Sequence, residues 1–412
     1  MDPSTRSLPT ILLAPLHGLA ARCSAYRHCP ALGDDVWLSL GVLRALHDQP
    51  SGRAFLQEIG AQLPDCPEIA HFFETLKSER RLALCQQACA LVAQLLTDNP
   101  FAHLPCLRDF DLYAADGHWH GAAVHDPLLD GKKRAIGHFF ALNLRTQGLT
   151  PLTNARGKKE HDMHALKRLD LPTLRHHAPK GRKVLYVYDC AGIDFAQWQK
   201  WKQGGGVYFV SLTKEKMKLP VIRAQPIDRQ DPNQAGITAD DIVGTSQGTQ
   251  LRRIRYTHPA TGEPYEFLTS EFTLPPGVIA FLYLRRWDLE KVFDELKNKL
   301  AAKRAWASSD NAKQMQAHLL CLTHNLIQLF ERHLAHEHQV RNHAEENRRA
   351  QRLAEQTKQA QARGATMPHL VQTHQRLTQT SLKLYRWLRA HCFSERPLVA
   401  LLPSLIRSYA TL

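Results

Sequence analysis

The run Lys183-Val184-Leu185-Tyr186-Val187-Tyr188-Asp189 limits the fold of this chain more than any other stretch. It is short, apolar and β-rich, which is the composition of a strand buried on both faces. Behind it come Cys190-Ala191-Gly192, a helical segment over 193–203, and a glycine cluster, Gly204-Gly205-Gly206, that reads as a turn into a further strand from Val207 to Leu212. A buried strand, a helix and a second strand in succession indicate an α/β fold. Such sheets place functional groups at the carboxyl ends of their strands, where Asp189 falls. A plain helix cap is the competing role for that aspartate, and Asp194 could fill it instead.

The stretch Tyr283 to Leu300 contains neither Gly nor Pro, and Pro275, Pro276 and Gly277 lie just upstream, so it reads as one helix. With Arg286 at zero on a helical wheel, Lys297 falls at about 20°, Glu290 at about 40° and Tyr283 at about 60°. Beside this polar face runs an apolar stripe of Leu289, Val292, Phe293, Leu296 and Leu300. An Arg286–Glu290 pair at this spacing is common on exposed helices. The full pattern, Tyr-x2-Arg-x3-Glu-x6-Lys with Trp287 directly after the Arg, resembles the signature of DDE-type insertion-sequence transposases, the group called YREK, at all four positions. The resemblance implies that Glu290 is the third metal-binding carboxylate and that Tyr283, Arg286 and Lys297 contact DNA near the transferred end. It also implies a ribonuclease-H-like sheet carrying two aspartates upstream, each at the end of a strand.

Phe110 to Ala115 alternates loosely with period two and runs into Asp116-Gly117. By itself an Asp-Gly after a strand is often a hairpin turn. The resemblance makes Asp116 the first catalytic aspartate, followed by Gly as is common in the family, although His118 stands where a small hydroxyl residue is more usual. Asp189 takes the second position. Strands are expected at 119–124 and 136–145, separated by the basic turn Lys132-Lys133-Arg134. From about 214 to 273, turn signals alternate with β-rich runs at 251–257 and 264–269, as in the β-rich insertion of the resembling transposases. In some relatives a Trp there stacks on a flipped base. This insertion has no Trp, and Tyr256, Tyr265 and Phe267 are its candidates for stacking or for core packing.

The flanks read as helical. Within residues 1–105, Asp34 or Asp35 can cap a helix carrying Val36, Leu40, Leu43 and Leu46, and Ser51 can cap one carrying Phe55, Leu56 and Ile59. A third region, from about Pro67 to Leu96, sets Lys77, Arg80 and Arg81 among apolar positions. A DNA-binding module and a plain helical scaffold suit this pattern equally. Residues 106–310 form the expected ribonuclease-H-like catalytic core. Residues 311–412 are helical, with an apolar face over Met315–Leu334, a polar run at 338–363 broken by Gly364, and an amphipathic stretch over 368–408, suited to dimerisation or DNA contact.

The formal charge of +14 favours a polyanionic partner. No apolar run reaches the roughly 18 to 20 residues of a membrane span. Ile11 to Ala21, broken by Pro15 and His17, makes a poor signal peptide, so a cytoplasmic protein without a membrane partner is expected. The nine cysteines include no Cys-x2-Cys pair, and neither a His-Glu-x2-His motif nor a phosphate loop occurs. Cys85 and Cys89 read as small core residues. The oxygen donors Asp116, Asp189 and Glu290 suit Mg²⁺, with Mn²⁺ as a substitute, and in-line phosphoryl transfer. Crowding three carboxylates without a cation or a proton is repulsive. The expectation is a DNA transposase that cuts transposon terminal repeats and joins them to target DNA, with a homodimer pairing two ends as the resemblance implies. The rivals are a transposase-derived DNA-binding protein that no longer cuts, and a metal-dependent nuclease of the same fold.

Overall fold

A single nine-stranded sheet organises the chain, in the order β3-β2-β1-β4-β5-β9-β8-β7-β6. The computed structural model describes residues 6–410 except 30, 48–50, 63–70, 129–130, 134, 156–159, 161, 216, 247 and 375–379. Pro67 at the expected helix start, Cys66, and Arg134 of the basic turn lie outside the described residues. Strands β1 (Phe110–His120), β2 (Ile136–Asn143) and β3 (Leu149–Asn154) pair antiparallel in succession, whereas β4 (Lys183–Val187) is parallel to β1 and β5 (Val207–Leu212) is parallel to β4. This is the ribonuclease-H-like arrangement. The β4 strand lies between β1 and β5, with Val184 to Val187 buried, as its unbroken apolar sequence requires.

The crossover from β4 to β5 is the helix Phe195–Gly205. Asp194 caps it by accepting from the Gln197 N–H at 2.9 Å. Gly206 ends it at φ 61°, a left-handed conformation that a side chain would strain. The glycine cluster is therefore the helix-to-strand turn expected of it.

The insertion adds β6 (Val221–Ala224), β7 (Ile237–Gly244), β8 (Gln250–Thr257) and β9 (Pro264–Thr269). They form an antiparallel meander, and β9 pairs with β5, so the insertion prolongs the central sheet. The β7 strand is not evident from sequence because Asp240 and Asp241 interrupt its apolar pattern. Both acids are buried and answered from β8: Arg252 grips Asp240 through two bonds of 2.8 and 2.7 Å, and Arg253 reaches Asp241 at 3.3 Å. A strand can bury such charges only as satisfied pairs. Tyr256 and Phe267 are core residues at 2% and 0% exposure, while Tyr265 is half-buried and bonds Glu263.

One expectation at β1 is corrected. Asp116-Gly117 is not a turn, and no separate strand forms over 119–124. The β1 strand continues to His120, pairing Asp116 with Phe140 and Gly117 with Phe139. At Gly117 an added Cβ would lie 3.0 Å from the Phe139 ring, so the missing side chain lets the ladder pass.

Alternate residues of the central strands face two cores. Leu112, Ala114, Leu185, Val187 and Val210 share one with the flanking helices and the Tyr283–Leu300 stretch; Tyr113, Ala115, Tyr186 and Phe209 share the other with Trp198 and Trp201. The helical ends thus bury their apolar stripes against the sheet. The first long helix, Asp34–Leu46, takes Gly33 as its N-cap, not an aspartate, and Val36 points outward at 46% exposure. Asp34 is instead buried between Arg80 and Arg81, at 2.8 and 2.6 Å. Those two arginines serve internal pairing. Cys85 and Cys89 are buried in the core. The C-terminal flank contains a long helix, Asp310–Glu337, a polar helix, His343–Ala362, and two amphipathic ones, Leu382–His391 and Leu398–Ala410. No helix among the described residues is long and apolar enough to cross a membrane.

Candidate active site

The sheet register brings two aspartates together. Pairing of β1 with β4 ends at Ala114 opposite Val187, and Asp116 and Asp189 each lie two residues further on. The period of two puts Asp116 on the same face as Leu112 and Ala114, toward the flanking helices. Its Oδ1 accepts from the Gly117 N–H at 2.8 Å. Asp189 has left the strand. Its Oδ1 accepts from the Ala191 N–H at 2.8 Å, capping the short turn Cys190–Gly192, and its carbonyl accepts from Ser211 Oγ at 2.7 Å. The cap of the following helix is Asp194, which leaves Asp189 on the carboxyl edge of the sheet.

The third carboxylate comes from a helix that is not continuous. The expected single helix over 283–300 divides into Pro276–Leu284 and Trp287–Asn298. Across the junction the backbone bonds shorten to i→i−3, with Arg286 N–H donating to Tyr283, Asp288 to Arg285 and Leu289 to Arg286. The break buries Arg285, which is 5% exposed and reaches the fully buried Asp288 at 2.5 Å. The apolar stripe packs as expected, with Leu289, Val292, Phe293, Leu296 and Leu300 all buried.

Arg286 is the centre of the site. Its Nη1 lies 2.8 Å from Asp116 Oδ2 and 3.3 Å from Glu290 Oε1. The Tyr283 phenol, buried at 5% exposure and pushed up in pKa by that burial, hydrogen-bonds Arg286 and feels the charge of Asp189. Burial pushes Asp116 up to about 7; the charges of Asp189 and Glu290 add to the rise, while Arg286 and the Gly117 N–H oppose it. The structure therefore brings together Asp116, Asp189, Glu290, Tyr283 and Arg286. Lys297 is exposed near the end of its helix, and its charge is felt at His118, whose imidazole burial and Lys297 hold down to about 4.

The oxygen donors and their mutual repulsion suit a hard divalent cation. Among the described residues no three ligating groups converge tightly enough to hold one, and the Arg286 guanidinium lies between Asp116 and Glu290 as the compensating charge. The donor set fits a metal, without a preformed cage.

Three neighbours of the site gain a setting that the sequence does not give, and of them only Ser211 goes unmarked in it. Ser211, fully buried in β5, fixes the Asp189 backbone, and its only trace is a lone hydroxyl in an apolar strand. His118 stacks on Phe293 at 4.9 Å, tying β1 to the Glu290 helix. Trp287 is 52% exposed beside the site, with Arg286 5.6 Å from its ring.

Comparison with known proteins finds similarity to transposases. Residues 140–326 match the family described as "Transposase DDE domain". That span contains Asp189, Tyr283, Arg286, Glu290 and Lys297 but begins after Asp116. A protein named "Putative transposase y4zB", from Sinorhizobium fredii (strain NBRC 101917 / NGR234), is 26% identical over 150 residues, or 35% of this chain. The chain spans 42% of that relative's length. A cryo-EM structure of the piggyBac transposase synaptic complex with hairpin DNA superposes at TM-score 0.44 and 8% identity, covering 98% of this chain and 82% of that one. The family match and the sequence relative make the middle of this chain similar to transposases.

Proposed function

We propose that this protein is a transposase that cuts DNA at transposon ends and joins them to a target, using Asp116, Asp189 and Glu290 as one site. The observation that carries the reading is the Arg286-bridged meeting of Asp116 with Glu290, next to Asp189, beyond the end of the parallel strands. The three carboxylates would hold Mg²⁺ or Mn²⁺, which when bound lowers the pKa of water and neutralises charge on a phosphoryl group. Arg286 can grip a phosphate through two N–H groups, and Tyr283 holds that guanidinium from the buried side. Lys297 supplies a point charge further along the helix. Double-stranded DNA is the proposed substrate. A homodimer pairing two ends, and residence with the DNA in the cytoplasm, follow from the family resemblance.

The test is cleavage of a labelled duplex containing the DNA that flanks the coding sequence, with Mg²⁺, Mn²⁺ or EDTA. Metal-dependent cuts at a repeat boundary, lost in Glu290→Gln while binding persists, support the proposal. Tight binding without any cut supports the DNA-binding rival. Cutting without joining supports the nuclease.

A further inference from the structure

Two imidazoles meet where the N-terminal region leads into the sheet. His103 lies in the turn that ends at Leu104, ahead of β1, and His374 ends the short helix His369–Thr373 of the C-terminal flank. The two are 271 residues apart in the chain, so no local motif marks them. Their Nε2 atoms stand 3.0 Å apart, and their ring centroids 4.7 Å.

His374 is held from the protein side. Its ring stands edge-on to Phe101 at 5.4 Å and lies 6.1 Å from Phe281, and those two buried phenylalanines pack edge to face at 5.7 Å. Phe281 belongs to Pro276–Leu284, so the His374 ring rests on the helix that leads to Arg286. His103 is exposed, which keeps the pair accessible from solvent.

Two neutral imidazoles at such a spacing either share one proton or direct two lone pairs at one cation. Two Zn–N bonds of about 2.0–2.1 Å hold their nitrogens about 2.9 Å apart at a right angle and about 3.3 Å apart at the tetrahedral angle. The 3.0 Å separation falls within that range. Burial lowers the His374 pKa, and the charges of His103, Arg285 and His369 act the same way, which keeps the imidazole in its neutral, ligating form. The Arg285 charge also opposes a cation, but it is ion-paired with Asp288 at 2.5 Å. Among the described residues no group of three His, Cys or acidic side chains is placed to hold a metal, so water would complete the shell.

We propose that His103 and His374 bind Zn²⁺ through their Nε2 atoms. Imidazole donors suit zinc and not Mg²⁺, so the site is distinct in chemistry from the carboxylates and does not depend on the DNA reading. The ion would clasp the C-terminal flank to the turn ahead of β1. Because it joins residues far apart in the chain, it binds the folded state and stabilises it.

The experiment is calorimetric titration and thermal melting with Zn²⁺, in excess Mg²⁺ to occupy the carboxylates. It compares the full-length wild type, His103→Ala, His374→Ala, the double variant and, as a control, exposed His125→Ala. Zinc should raise the wild-type and control melting temperatures. Each single variant should lose that rise and bind zinc at least about tenfold more weakly. The double variant should be no weaker than the singles, because one shared site is lost once. His103 is exposed, so His103→Ala keeps the fold and decides the question even where His374→Ala does not. Wild-type affinity in His103→Ala, or no zinc-dependent stabilisation of the wild type, overturns the site and leaves an imidazole–imidazole hydrogen bond. Losses that add in the double variant, or an equal loss in His125→Ala, also overturn it, in favour of independent surface histidines.

Discussion

The contact between Arg286 and Asp116 makes a quantitative prediction. At 2.8 Å and an effective dielectric of about 20, the bare attraction is about 6 kcal/mol. Desolvation of both groups removes most of it, leaving about 1.5–3 kcal/mol for a hydrogen bond between charged partners. The contribution should depend on pH. Asp116 rises from its ordinary 3.8 to about 7, so between those values the folded chain holds a proton that the unfolded chain has released. The unfolded state binds fewer protons there, so stability falls as pH increases through the window, and the cost is complete above about 7. At pH 8 the carboxylate is ionised and depends on Arg286; at pH 5 it is neutral and needs it less. A double-mutant cycle with Arg286→Ala and Asp116→Asn, followed by urea unfolding in EDTA, should give a coupling of about 1.5–3 kcal/mol at pH 8 and about 1 kcal/mol or less at pH 5. Equal coupling at the two pH values, or less than about 0.5 kcal/mol at pH 8, refutes the reasoning.

Glu295→Ala should cost about 3–5 kcal/mol in urea unfolding, because Glu295 is 1% exposed on the inner side of the Trp287–Asn298 helix, accepts from the Thr380 N–H and lies 3.5 Å from His324 Nδ1. Gly277→Ala should lower stability by about 3 kcal/mol, read as a lower melting temperature, since its Cβ would fall 1.9 Å from the Asn233 carbonyl oxygen. Lys297→Ala is exposed and should change stability by no more than about 0.5 kcal/mol while reducing the salt slope of DNA binding by about 1.

Wherever one local pattern decided the outcome, the sequence was sufficient. The apolar run at β4 became the central strand, and the stripe from Leu289 to Leu300 became the buried face of its helix. The misses have long-range causes. The acids of β7 are tolerable only because Arg252 and Arg253 sit opposite them, a match made by pairing. The break at Arg285 follows from burying a guanidinium against Asp288, and propensity favours an unbroken helix there. Asp116-Gly117 has a local turn signal that the β2 partner overrides by continuing the ladder. At the site, the spacing in Tyr283–Lys297 linked four residues, and the contacts of Arg286 with Asp116 and Glu290 depend on the packing of that helix against β1, which the spacing does not give. Ser211 behind Asp189 needed the β4–β5 pairing to be found. Arg80 and Arg81, basic residues that suited a DNA-binding module, are occupied by Asp34.

The central claim is that Asp116, Asp189 and Glu290 are ligands of one divalent-ion site, and calorimetric titration with Mn²⁺ tests it most directly. The wild type should bind the ion, and Asp116→Asn, Asp189→Asn and Glu290→Gln should each weaken binding at least tenfold while melting cooperatively. Wild-type affinity in all three variants, or no Mn²⁺ binding by a wild type that still cuts DNA, would contradict the account.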